Sequence, residues 1–185
     1  MKHLKLASAF ALLIIFISSC KKEDQVEQND EELITTVELR FSATGSNTPL
    51  VFRWEDNDGP GGTNPQVDPV ILSANTAYTL NVLMLDESKT PAINITDEVM
   101  AESDEHRLYI IPAVNLLINQ LIPTDRDNNG RPLGLTHQFT TTSAATGTLR
   151  VVLKHYGDGG KEGTDPVDSP KSSSDVDVQF PVTIQ

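Results

Sequence analysis

Residues 175–184 read Asp-Val-Asp-Val-Gln-Phe-Pro-Val-Thr-Ile, and this run decides the fold. Val176, Val178, Phe180, Val182 and Ile184 fall on one side, against Asp175, Asp177, Gln179 and Pro181 on the other. A period of two puts one face in an apolar core and the other in water, which is a half-buried β-strand. Pro181 has no N–H to donate, so it predicts an edge position for this strand.

Working back along the chain, the same period recurs. Leu149–His155 and Leu135–Thr142 read as strands joined by a small-residue turn around Gly147. His106–Ile111, Leu116–Ile122, Tyr78–Met84, Val70–Leu72, Leu50–Glu55 and Leu33–Phe41 add to the set. Turn-forming Gly, Pro, Asn and Asp fill the segment 56–69. Residues 94–105 are the one helical candidate, with Asn94 or Thr96 as cap and Asp97 and Glu98 in the first turn. Eight or nine short strands predict an all-β fold, an antiparallel immunoglobulin-like β-sandwich with one short helix near residues 95–105. Regular strand–helix alternation is missing, which disfavours a doubly wound sheet. The sandwich domain takes residues 33–185.

The N-terminus has another character. Lys2 and Lys5 precede an apolar run from Ala7, which closes on Ile17-Ser18-Ser19-Cys20. A basic start, a short apolar segment and small residues before a cut site make a secretory signal. About 13 apolar residues are too few for the ~20 that cross a bilayer. Residues 17–20 resemble the bacterial lipobox, which predicts a signal peptide at 1–19, cleavage, and acylation of Cys20 by lipid chains such as palmitate. Each buried methylene of such chains adds ~0.8 kcal/mol of membrane affinity. Residues 20–32 then form the lipidated cysteine and an acidic flexible tether. Lys22-Glu23-Asp24 resembles an export signal for the outer face of the outer membrane. The expected location is therefore the outer membrane, facing the cell exterior, with a periplasm-facing orientation as the alternative.

The charge excludes some partners. The chain of 185 residues carries a net −12. Removing the nineteen-residue leader with Lys2 and Lys5 leaves 166 residues at −14. Such a field repels phosphate backbones, so no nucleic-acid partner is expected. Cys20 is the only cysteine, so acylation leaves no disulfide and no thiol nucleophile. No phosphate loop, G-x-S-x-G turn or H-E-x-x-H helix occurs, and the chain is read as non-catalytic.

Cation binding remains open. His106, His137 and His155 all fall in phase with the apolar faces of their strands. His106 begins a strand and His155 ends one, so the two can meet at one rim of the sandwich. Imidazole nitrogen suits Zn2+. Glu102, four residues before His106, and Glu105 are candidate carboxylate ligands, and His137 a further one. The alternative cation is Ca2+. Asp125, Asp127 and Asn129 stand at alternate positions before Gly130, but Thr136 occupies the place where an EF-hand needs a bidentate Glu. Asp and Asn before Gly also make ordinary turns. The polar segment 156–174 is long enough to be a binding loop or a disordered one.

Four segments carry a family resemblance: Asn94–His106, Asp127–Leu135, Gly147–His155 and the closing Asp-Val-Asp-Val-Gln-Phe-Pro-Val. Together they resemble a family of small uncharacterised lipoproteins of Gram-negative bacteria, often loosely labelled with the type 1 periplasmic-binding fold. That label implies parallel α/β sheets, whereas the alternation here points to antiparallel ones. The resemblance implies a lipid-anchored globular module, and His106 and His155 fall inside resembling segments. The leading expectation is a binding lipoprotein that captures a divalent metal, beside an outer-membrane receptor. The alternatives are a structural or protein-interaction module, and a surface glycan-binding protein with exposed aromatics such as Trp54 or Tyr109.

Overall fold

A computed structural model describes residues 33–185, except 60, 117 and 158–159. The leader, Cys20 and the acidic tether lie outside the described residues. The domain is an all-β sandwich of two sheets with one short helix, so the parallel α/β label does not apply. The first sheet takes β1 (Thr36–Ala43), β2 (Leu50–Glu55), β3 (Gln66–Val67), β5 (Ala77–Asp86), β6 (Ile93–Asn94), β8 (Ile118–Pro123) and β9 (Thr136–Thr141). Its order is β3-β2-β1-β5-β9-β8, with β6 paired to β5. The second sheet takes β4 (Val70–Leu72), β7 (His106–Pro112), β10 (Ala145–His155) and β11 (Ser173–Ile184), in the order β4-β11-β10-β7. Seven and four strands exceed the four-plus-three immunoglobulin pattern.

The alternation settles the core. Val37, Leu39 and Phe41 of β1 and Val178, Phe180 and Val182 of β11 belong to one buried apolar cluster. Phe41 sits edge-on to Phe52, Tyr78 and Phe139 at 5.9, 6.3 and 6.0 Å. Such aromatic pairs add to the area they bury. On the outer side of the first sheet Arg53 meets Glu38, Glu55 and Glu87, the last at 2.8 Å.

Several expectations are corrected. The pairing is not wholly antiparallel, because β11 runs parallel to β4. Pro181 is not on an edge strand, since β11 lies between β4 and β10. It is tolerated because the β4 ladder starts only at Val182, one residue later. The helix α1 spans Ile95–Ala101, four residues shorter than expected. Neither expected cap holds it. Asn94 makes no side-chain cap, and the Thr96 hydroxyl accepts the Met84 N–H at 2.7 Å.

The long polar segment is a packed strap over its described part, 160–172. Lys161 is fully buried, and Arg107 Nη1 donates to the carbonyls of Glu162, Gly163 and Asp165. The Tyr109 hydroxyl donates to the Asp165 carbonyl at 2.8 Å. These contacts seat the strap on the outer face of β7. On the other flank the segment 133–135 bridges β7 and β5. Leu108 N–H donates to the Leu133 carbonyl and Val82 N–H to that of Leu135. A Cβ on Gly134 would come 2.1 Å from the Leu108 carbonyl oxygen, so only glycine fits there.

Candidate metal centre

His106 and His155 are direct partners in the β7–β10 ladder. Paired residues point to the same face of a sheet. Their rings accordingly stack, with centroids 4.7 Å apart and planes inclined by 14°. The expected meeting of the two histidines at one rim is what the structure shows.

The surroundings assign the nitrogens. His106 Nδ1 lies 3.2 Å from the Glu102 carbonyl oxygen. A carbonyl only accepts, so Nδ1 carries the proton and neutral His106 keeps a lone pair on Nε2. That Nε2 points at Asp175 Oδ2, 3.9 Å away, and both side chains are 2% exposed. His155 Nε2 lies 3.2 Å from Glu105 Oε2. Burial holds His106 down to about 4, against a lesser upward pull from the Glu102 carbonyl. The ring is therefore neutral at pH 7, in the form that binds metals.

Asp175 reaches this place through a β-bulge. Leu153 pairs with Val176 and Lys154 with Ser174, which leaves Asp175 as the extra residue of β11. The bulge breaks the alternation and turns the Asp175 carboxylate off the solvent side. Sequence reasoning placed Asp175 with outward Asp177 and Gln179. A register slip of one residue changes the face, and period-two counting does not detect it. The polar Ser173–Asp175 start of the strand is the only signal of it in the sequence.

The other candidate ligands divide. Glu105 joins the cluster through His155. Glu102 does not bring its carboxylate, because α1 ends at Ala101 and Glu102 caps it. Its carbonyl serves instead, orienting His106 from behind. Backbone carbonyls bonded to the far nitrogen are a standard support for metal-binding histidines. His137 is apart from the pair. It is 4% exposed on β9, opposite Leu80 and Pro123, and the charge acting on it is Asp125.

The calcium reading is corrected too. Asp125 accepts N–H groups from Gly134, Leu135 and Thr136 at 3.0, 2.8 and 3.2 Å. Asp127 accepts those of Asn129 and Arg131, and pairs with Lys161 Nζ at 2.9 Å. Asn129 contributes its backbone N–H, and its side chain is exposed. The alternating acids thus organise a turn, with their oxygens engaged by amides and one ammonium. Lys161 Nζ also donates to the carbonyls of Ser103 and His106 at 2.6 and 2.9 Å. Burial raises the Asp127 carboxyl, but bonds from Lys161 and the two amides outweigh it and hold it below the usual range. Sequence reasoning missed Lys161, since a lysine amid glycines and acids reads as solvated.

Neither aromatic of the glycan reading is a free platform. Trp54 packs against the core, while Tyr109 has the Arg107 guanidinium 4.5 Å over its ring and its hydroxyl on Tyr156 at 2.7 Å.

Among the described residues, no three histidine, cysteine or carboxylate side chains already converge on one point. The 3.9 Å between His106 Nε2 and Asp175 Oδ2 exceeds a hydrogen bond. Two N/O ligands of a tetrahedral zinc stand about 3.4 Å apart, so this pair has to close by about 0.5 Å to share one. Parallel ring planes send their lone pairs in parallel, so a shared ion requires a turn of His155. No family model, curated protein or solved structure matches the chain.

Proposed function

We propose that this chain is a lipid-anchored, non-catalytic binding lipoprotein of the Gram-negative envelope that captures zinc at His106, Asp175, His155 and Glu105. One observation carries the metal reading. Two imidazoles and two carboxylates come together at one end of the β7–β10 ladder: the rings stack at 4.7 Å, with Asp175 3.9 Å from His106 and Glu105 3.2 Å from His155. His155, 9% exposed, brings Glu105 to the cluster. The anchor rests on the lipobox-like Ile17–Cys20 and the basic, apolar leader before it. The acidic tether spaces the sandwich from the outer membrane, on its exterior side, where an uptake receptor is the expected partner.

The test is calorimetric titration of zinc into the chelator-stripped mature protein. The expected result is one site, with a melting temperature that rises with zinc. At a hundredfold excess of zinc over Kd the stabilisation is about 2.7 kcal/mol. No heat and no thermal shift would end the zinc reading. Acylation is tested separately, by loss of fatty-acid labelling in Cys20→Ser.

A further inference from the structure

A second β-bulge lies on the far edge of the first sheet. Asn119 of β8 pairs with Thr140 of β9 and Ile122 with Gln138, so β8 carries one residue too many. Gln120 absorbs it with φ of 56°, in the left-handed region that few residues other than glycine adopt. Leu121 still turns inward to the core, while Gln120 and Ile122 both stand exposed on the outer side. The bulge thus widens the outer face of β8 rather than closing it.

The result is a groove of about 300 Å³ between β8, β9 and the start of β5. That is at the lower limit of small-molecule sites. Its polar lining consists of Thr44, Thr79, Gln120, Thr124, Gln138 and Thr140, with Ile122 among its apolar members. Gln138 and Thr140 point outward because His137, Phe139 and Thr141, between and beside them on β9, point in. No charged side chain lines the groove, on a chain with 22% charged residues and net −12.

We propose that this groove binds an uncharged polyhydroxylated ligand, a segment of neutral glycan. Threonine hydroxyls and glutamine amides both donate and accept, which matches the sugar hydroxyl. A charged ligand would find no counter-charge in the groove and a repelling field around it if anionic. Ile122, 51% exposed, offers an apolar surface to the C–H face of a sugar ring. The groove runs over side chains on the sheet face, which favours a glycan over an added peptide strand. It shares no residue with the histidine cluster, so the two readings stand or fall separately.

The test uses the mature chain, residues 20–185, in protein-observed NMR. Maltotetraose, cellotetraose and mannotetraose are the neutral probes, and tetragalacturonate the anionic comparator. The expected result is saturable shifts at the amides of Gln120, Ile122, Gln138 and Thr140 with at least one neutral probe. Thr140→Val keeps the branched shape and removes the hydroxyl, and should weaken binding several-fold. Gln138→Glu should weaken it at least tenfold. Both variants should melt as the parent does. The affinity should be the same with and without a zinc chelator. Absence of saturable shifts with all three neutral probes, equal shifts with tetragalacturonate, or unchanged affinity in both variants overturns the proposal.

Discussion

The two bulges, one in each sheet, act in opposite senses. At Asp175 the extra residue turns a carboxylate inward, beside two imidazoles and near the buried Lys161–Asp127 pair. At Gln120 it turns an amide outward, onto a flank with no charge. The backbone device is the same, and its surroundings give it different chemistry. A charged, dry corner makes ionic groups costly to disturb, while a wet neutral flank tolerates change. Five substitutions and one pH titration probe that contrast.

The largest effect is expected at Lys161. Lys161→Met keeps the stem but leaves Asp127 buried and uncompensated. Breaking a buried pair this way costs about 3–5 kcal/mol. On the neutral flank, Gln138→Met should stay within about 0.5 kcal/mol of the parent. Urea unfolding measures both, and comparable losses would erase the contrast.

Acid is next. Burial lowers His106 and His137 to about 4, from 6.5 in the unfolded chain. Between those values the unfolded state binds the protons and the folded state does not. Stability is therefore complete above 6.5 and declines as pH falls towards 4, by up to about 3 kcal/mol per histidine. His137→Leu should remove about half of that slope without touching zinc binding. A urea midpoint that is flat across this window contradicts the burial argument.

Asp175→Asn should leave the fold intact and weaken zinc ten- to a hundredfold, about 1.4–2.7 kcal/mol. Wild-type zinc affinity in this variant would remove the first bulge from any site. The smallest effect is expected at Gln120→Gly, which relieves the positive φ at some entropic cost. The net should be stabilising by about 0.5 kcal/mol, and a clear loss would mean the glutamine side chain holds the bulge.

These contrasts track what can be read from the chain. The strands and their inward faces are legible because burial imposes period two, and Val176 to Ile184 follow it without error. The meeting of His106 and His155 is legible for the same reason. Asp175 is not, since a bulge leaves no mark in hydrophobic alternation. Glu102 was misread because helix length rests on one turn, and a carbonyl replaced a carboxylate where α1 stopped. Lys161 was hidden because its solvation is tertiary, supplied by the carbonyls of Ser103 and His106 and by Asp127, far away in the chain.

The place of β11 has one more consequence. It lies inside the second sheet, and β4 has no partner there except this strand. The β4 side and the β10–β7 side of that sheet are joined only through residues 173–184. A polypeptide wired in this way cannot complete its second sheet until that strand is in place.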